Sequence, residues 1–186
     1  MIIIEGARNT GKTYLLSRLN GYTTYKVPFI SYFNAFLKGE DFVESNADSG
    51  AYHFTTGNDV AILSMHRMGL ISKTLFDRGF LSNVVLAVQQ GRITEQQGMD
   101  YIDWLIREQY TEYVVIVYVD GKRVEDDRNK DEWSILDQDG TKALFDKFIG
   151  YIGNRINIVR FYNSFGEGDV EAFQKTIDSL NNSLTC

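Results

Sequence analysis

Residues 2–19 read Ile2-Ile3-Ile4-Glu5-Gly6-Ala7-Arg8-Asn9-Thr10-Gly11-Lys12-Thr13-Tyr14-Leu15-Leu16-Ser17-Arg18-Leu19. Their centre, Gly6 to Thr13, fits the phosphate-binding pattern G-x-x-x-x-G-K-[ST] at every fixed position. Three β-branched residues, Ile2 to Ile4, predict a short buried strand before the loop. Leu15, Leu16 and Leu19 recur at helical spacing after it, so the motif sits between strand and helix as its mechanism requires. Gly6 and Gly11 let the backbone turn with its N–H groups inward, and those groups with the first helical turn form an anion cradle. The residues that would surround the anion are Gly6, Ala7, Arg8, Asn9, Thr10, Gly11, Lys12, Thr13 and Tyr14. Lys12 is placed to bridge the terminal phosphates of ATP, and Thr13 to offer its hydroxyl to Mg²⁺. The alternative is an ordinary glycine-rich turn with Lys12 solvated; the agreement of spacing, strand and helix speaks against it.

The chain has 186 residues, of which 44% are hydrophobic and 24% charged, an average globular composition that predicts one α/β domain over residues 1–186. A net charge of −6 argues against a polynucleotide held along a run of phosphates, because such proteins are usually basic. A small anion remains compatible, since a few cations in one pocket suffice. The one cysteine, Cys186, has no partner for a disulfide or a metal site, which fits a reducing compartment. The acidic Met1-Ile2-Ile3-Ile4-Glu5 does not read as a signal peptide, and no apolar run approaches the ~18 to 20 residues of a membrane span. The expected location is cytoplasmic, away from membranes.

Along the chain, Tyr22 to Val27 reads as a second strand ending before Pro28, and Ser31 to Leu37 as a short helix. The acidic segment Glu40 to Gly50 reads as loop. A helix over 58–69 follows with Asn58 as its cap, then a third strand from Leu70 through Phe76 that ends in Asp77-Arg78-Gly79. Helices are predicted near 80–90 and 94–109, the latter with Thr94 as cap and Gln97 three residues on. The apolar run Tyr113 to Val119 reads as a strand covered on both faces. A helix near 139–152, a fifth strand near 156–161 and a helix near 169–182 complete the set. Strands alternating with helices give a three-layer α/β/α fold around a five-stranded parallel sheet. Ligands bind such sheets beyond the carboxyl ends of the strands, which brings Lys26, Asp77, Arg78 and the segment after Asp120 towards the loop.

Asp77, ending a buried strand, is suited to hold Mg²⁺ with Thr13, and Arg78 to reach a second anionic group. The charged stretch 121–133 has almost nothing to bury and reads as a mobile lid whose Arg123 or Arg128 would close on the transferring phosphoryl group. His53 and His66 lack any partner at metal-ligand spacing. The aromatic set Tyr32, Phe33, Phe36, Tyr52 and Phe54 is able to stack a base, although packing is the commoner fate of such residues.

These motifs together resemble the nucleoside monophosphate kinases, and most of all the thymidylate kinase family within the wider thymidylate and deoxynucleoside kinase group. The likeness rests on Glu5-Gly6 through Lys12-Thr13, on Asp77-Arg78 with Ser82, which resembles an Asp-Arg-x-x-x-Ser signature, and on Arg123, Asp127-Arg128 and Glu132, which resemble an arginine-bearing lid. It implies a P-loop kinase with a short lid, ATP and Mg²⁺ on Lys12, Thr13 and Asp77, and transition-state contacts from Arg123 or Arg128. Lys26, Arg78, Phe54 and Ser82 would meet the acceptor, and a homodimer is the family's usual state. Two departures stand out. The family's Arg-Glu-Pro after strand two is Lys26-Val27-Pro28 here, and its Ala-Tyr-Gln falls on Val85-Leu86-Ala87.

A hydroxyl acceptor must lose a proton, so its kinases normally place a carboxylate near it, often at the end of strand two. Lys26-Val27-Pro28 offers none, and Asp59 or Glu44 would have to supply it. A monophosphate is already ionised and needs cations, which Lys26 and Arg78 provide. The expected reaction is therefore transfer from ATP to a nucleoside monophosphate, with a deoxynucleoside kinase or polynucleotide 5′-hydroxyl kinase as alternative and a non-catalytic nucleotide switch as second alternative.

Overall fold

The computed structural model describes residues 1–7, 9–26, 59–71, 74–121 and 138–184. The predicted helix Ser31 to Leu37, the loop Glu40 to Gly50, the Asn58 cap, both aromatic and histidine candidates from Tyr32 to Phe54, and the lid beyond Gly121 lie outside the described residues.

The element order is β1 (Ile2–Glu5), α1 (Lys12–Ser17), β2 (Thr23–Lys26), α2 (59–67), β3 (Thr74–Asp77), α3 (Phe80–Gln89), α4 (Glu95–Arg107), β4 (Val115–Gly121), α5 (Gln138–Ile152), β5 (Asn157–Asn163) and α6 (Asp169–Leu184). All pairings are parallel and the strand order is β2-β3-β1-β4-β5, so the strand that feeds the glycine loop is central. Its register sets Ile4 beside Asp77 on one side and Val117 on the other.

Period-two alternation sorts the strands' side chains onto two faces. Ile3, Phe76, Ile116 and Tyr118 pack with Leu81, Val84, Ile102, Phe145 and Phe148 beneath α3, α4 and α5, where Leu63 of α2 joins them. Ile2, Ile4, Leu75, Val117 and Val119 pack with Leu15 and Leu16 of α1 and with Phe173 and Ile177 of α6. Each such fully buried side chain contributes about 1.5–3 kcal/mol relative to exposure. The expected three layers and five parallel strands are therefore the observed architecture.

α4 starts as read: Thr94 Oγ1 accepts from the Gln97 amide at 3.2 Å and Gln97 Oε1 accepts from the Thr94 amide at 2.8 Å, a complete capping box. Three strand ends differ from expectation. Tyr113 lies outside β4 with a φ of 60° and 70% exposure, because the turn Val114 N to Thr111 O precedes the first ladder bond at Val115. Leu70 and Ile71 precede β3; Leu70 instead donates its amide to Met65 O in the turn that closes α2 at Gly69. β5 runs on past Phe161 to Asn163, held by pairing with Asp120 and Gly121.

Candidate functional site

The loop from Gly6 to Gly11 leaves the carboxyl end of β1 and is packed so closely that its glycines are obligatory. Gly6, at φ 143°, lies where a β-carbon would collide with the Val119 carbonyl of β4. Gly11, at φ 81°, is the N-cap of α1 and lies against the Asn163 amide and the Phe165 ring. A glycine N-cap brings no side-chain oxygen, so the first turn of α1 carries no side-chain cap bond. Thr10 Oγ1 donates to Ala7 O at 3.1 Å and closes the loop from within.

Lys12 is 4% exposed, and its ammonium is folded onto the loop, donating to Ala7 O and, at 3.3 Å, to Thr10 Oγ1. Thr13 and Tyr14, in the first turn of α1, are exposed. Arg8, the side chain of Lys26, Phe54, Arg123 and Arg128 lie outside the described residues; the Lys26 backbone ends β2 in register with Asp77.

Sheet order brings the Asp77-Arg78 pair to the loop. Asp77, 5% exposed, ends β3 next to Ile4. Arg78 donates its amide to Ile4 O at 2.9 Å and takes a φ of 74°, a left-handed conformation that costs a non-glycine residue about 1–3 kcal/mol. From there its guanidinium reaches the loop, with Nη1 donating to Gly6 O at 3.2 Å and to Ser82 Oγ at 3.5 Å. Lys12 of α1 and Arg78 after β3 thus both donate to carbonyls of one loop.

Ser82 is fully buried, and its hydroxyl donates to Glu5 Oε2, so it faces the framework behind Arg78. Glu5 is buried as well. Burial pushes its carboxyl up to about 7 against the opposing pull of the Ser82 hydrogen bonds and of the charges on Arg78 and Lys12. Asp59 on α2, 3% exposed, accepts from Asn83 Nδ2 at 2.9 and 3.0 Å; burial holds its carboxyl well above the usual range, and the Glu5 charge adds to that. Asp59 and Arg78 both line a small open cleft with Ile62, Phe76 and Phe80.

The far side of the loop is held by residues not singled out in the sequence. Asn163 at the end of β5 is fully buried; its Nδ2 donates to Thr10 O at 2.9 Å and its Oδ1 accepts from the Phe165 amide at 3.1 Å. Phe165, at φ 61° and 38% exposed, sets its ring beside Gly11. Asp169 anchors this turn by accepting from the amides of Ser164 at 2.7 Å and Gly166 at 3.0 Å.

Thr13 and Asp77 carry the oxygen chemistry that a magnesium nucleotide would use. The Thr13 hydroxyl and the Asp77 carboxylate are hard oxygen ligands, and among the described residues no group of three His, Cys, Asp or Glu side chains converges on one point. A cation held by two protein oxygens and phosphates is the usual arrangement for Mg²⁺. Among the described residues no helix is long and apolar enough to cross a membrane.

No protein-family model and no curated protein sequence matches the chain. Solved structures do. Deoxyadenosine kinase from M. mycoides with bound dCTP aligns with a TM-score of 0.63 at 14% identity, over 96% of this chain and 100% of that one. The same enzyme with dCMP and a flexible dCDP gives 0.58 at 15% identity, over 98% of both chains. The YorR protein of Bacillus subtilis in complex with phosphorylated GDP gives 0.54 at 16% identity, over 96% and 94%. The likeness is one of architecture along nearly the whole chain: a P-loop kinase fold, with the glycine loop on the central strand of a five-stranded parallel sheet.

Proposed function

We propose that the chain is an ATP-dependent phosphotransferase that moves the γ-phosphate to the 5′-hydroxyl of a deoxynucleoside. The observation that carries phosphotransfer is the convergence of Lys12 and Arg78 on one phosphate loop, the first folded under it and the second resting on its Gly6 carbonyl. Two cations so placed stabilise negative charge that spreads over a transferring phosphoryl group. A nucleotide-dependent switch has no need of Arg78 at that point. The acceptor class is supported by the neighbours that share the fold, a deoxyadenosine kinase holding dCTP or dCMP among them.

In this reading Lys12 binds the outer phosphates, and Thr13 and Asp77 hold Mg²⁺, which neutralises charge between the phosphates when bound. Arg78 neutralises the moving group, and the proton that the acceptor hydroxyl loses passes to Asp59, the carboxylate that shares the cleft with Arg78, or to Glu44. Ser82 serves from behind Arg78 and not by touching the acceptor. Lys26, Phe54 and the lid arginines Arg123 and Arg128 retain the roles that the resemblance implies.

A second reading keeps the same donor machinery and takes a nucleoside monophosphate, as in the thymidylate kinases. It is favoured by Arg78 itself, a guanidinium at the mouth of the loop able to clamp an acceptor phosphate in a bidentate manner. ATP consumption measured in a coupled assay against deoxynucleosides, their monophosphates and a 5′-hydroxyl oligonucleotide separates the two. Turnover on deoxynucleosides is expected; turnover on monophosphates alone moves the assignment to the second reading, and turnover on the oligonucleotide alone or on none of them overturns both.

A further inference from the structure

α3 begins at Gly79, where no side chain caps the helix. A β-carbon at 79 would lie 2.9 Å from Ile3 Cγ2, so the usual Ser, Thr, Asp or Asn has no room there. The cap comes from another strand. Glu5 Oε1 accepts from the amide of Ser82 at 3.2 Å, placing a carboxyl at the positive end of a ten-residue helix. That accounts for one oxygen of Glu5.

The other oxygen accepts from the Ser82 hydroxyl, and Ser82 Oγ in turn accepts from Arg78 Nη1 at 3.5 Å. Arg78 Nη1 also donates to Gly6 O at 3.2 Å, and Gly6 is the residue after Glu5. The contacts form a closed ring of carboxyl, hydroxyl, guanidinium and loop carbonyl, completed by one stretch of backbone. Both Glu5 and Ser82 are 0% exposed. A carboxyl so deeply buried costs free energy that a cap alone, worth about 1 kcal/mol, does not repay.

The geometry points to Glu5 as a positioning residue that acts through the Ser82 hydroxyl to fix the Arg78 guanidinium over the phosphate loop. This rests on the phosphotransfer reading for its purpose, though not for its contacts. The left-handed backbone of Arg78 aims the side chain, and the ring keeps it at one spacing from the loop while the acceptor arrives. An ionised Glu5 accepts a hydrogen bond from the Ser82 hydroxyl and leaves the Oγ lone pairs to Arg78; a protonated Glu5 competes for them.

The charged and titratable groups around Glu5 are Lys12 from α1, Arg78 after β3, Asp59 from α2, and Tyr118, its register partner on β4. Because burial pushes Glu5 up to about 7, the hold on Arg78 weakens as pH falls through neutrality.

The test uses the whole chain in two measurements. In ¹⁵N-labelled protein the Arg78 Nε–H resonance, assigned by its loss in Arg78→Lys, is expected to be sharp in the wild type above neutrality and broadened in Ser82→Ala. With ATP and the deoxynucleoside and monophosphate panel, Ser82→Ala is expected to lower acceptor kcat/KM by about tenfold, the worth of one hydrogen bond to a charged group, while ATP KM stays within about twofold. Glu5→Gln is expected to remove an inflection near pH 7 from the acceptor kcat/KM profile. An Arg78 resonance unchanged in Ser82→Ala, an unchanged acceptor kcat/KM, or a wild-type pH profile in Glu5→Gln each reduces Glu5 to a helix cap and overturns the inference. Should the wild type phosphorylate nothing in the panel, the kinase reading falls, and the resonance comparison alone decides whether Glu5 and Ser82 hold Arg78.

Discussion

Asn163 ties the last strand to the phosphate loop: its Nδ2 donates to the carbonyl of Thr10 at 2.9 Å across 153 positions of sequence. The same side chain accepts the Phe165 amide, so one buried residue sets both the loop and the turn beside it. Asn163→Ala removes both bonds and leaves the buried Thr10 carbonyl and the part-buried Phe165 amide each without this partner, at about 1–3 kcal/mol. The expected result is a lower Tm and an ATP KM raised about tenfold with a smaller change in acceptor KM. Steady-state kinetics with each substrate varied in turn, beside thermal melts, checks it.

Lys12→Ala is expected to abolish transfer, with kcat down by at least about 10³, because no other described ammonium reaches the loop from beneath. The fold should persist. Removing an ammonium that is 4% exposed relieves a desolvation cost, so the melting temperature is expected to hold or rise. Circular dichroism with a phosphotransfer assay on the same preparation tests both halves.

Arg78→Ala should lower acceptor kcat/KM by about 10² or more and leave ATP binding within a few fold. Arg78→Lys is expected to recover little of this, since a point charge does not replace the guanidinium fork. Equal losses for both substrates would place Arg78 in the donor site instead.

The buried carboxyls invert the usual acid sensitivity. Glu5 titrates near 4.5 when unfolded and at about 7 when folded, so between those values the native state binds the extra proton. Stability from this group is greatest below about 4.5 and falls as pH rises through 7, by on the order of 3 kcal/mol in all. Asp59, raised for the same reason, acts in the same direction. The Met1 amino group, pushed by burial down to about 6, and His66, also lowered, act the other way as pH falls, so the carboxyl is read by difference: from about pH 7 down to about pH 5 the wild type should gain more Tm than Glu5→Gln does.

Phe165 presents a partly exposed ring beside Gly11 on a left-handed backbone, next to where the donor nucleotide would lie. Phe165→Ala is expected to raise ATP KM by about tenfold, in line with stacking losses of about 1–3 kcal/mol per base, and to spare the acceptor. Competition between ATP and GTP in both proteins tests whether the ring meets the base.

The loop, the parallel sheet and the Thr94 cap were legible because each rests on local chemistry: fixed glycines, β-branched runs and a four-residue box. The approach of Asp77 and Arg78 to the loop was legible because both stand at the carboxyl end of a strand, where ligands of such sheets bind. The ring around Glu5 was not, since its members come from β1, the end of β3 and α3, and no spacing in sequence links them. Asn163 was hidden for a related reason. The polar Asn163 does not extend the apolar run that marks β5 in the sequence up to Phe161, whereas pairing with Asp120 and Gly121 carries the strand two residues further. Tyr113, apolar in the sequence, is turned out of its strand by a backbone bond that hydropathy does not record.

The central place of β1 also bears on how the protein comes into being. Ile2 finds its neighbours at Leu75 and Val115, so this strand leaves the ribosome well before either of the strands that flank it. Its insertion closes long loops, and that makes assembly of the catalytic mouth a late event in folding. Until then three consecutive isoleucines remain exposed, an opening for chaperones or for aggregation.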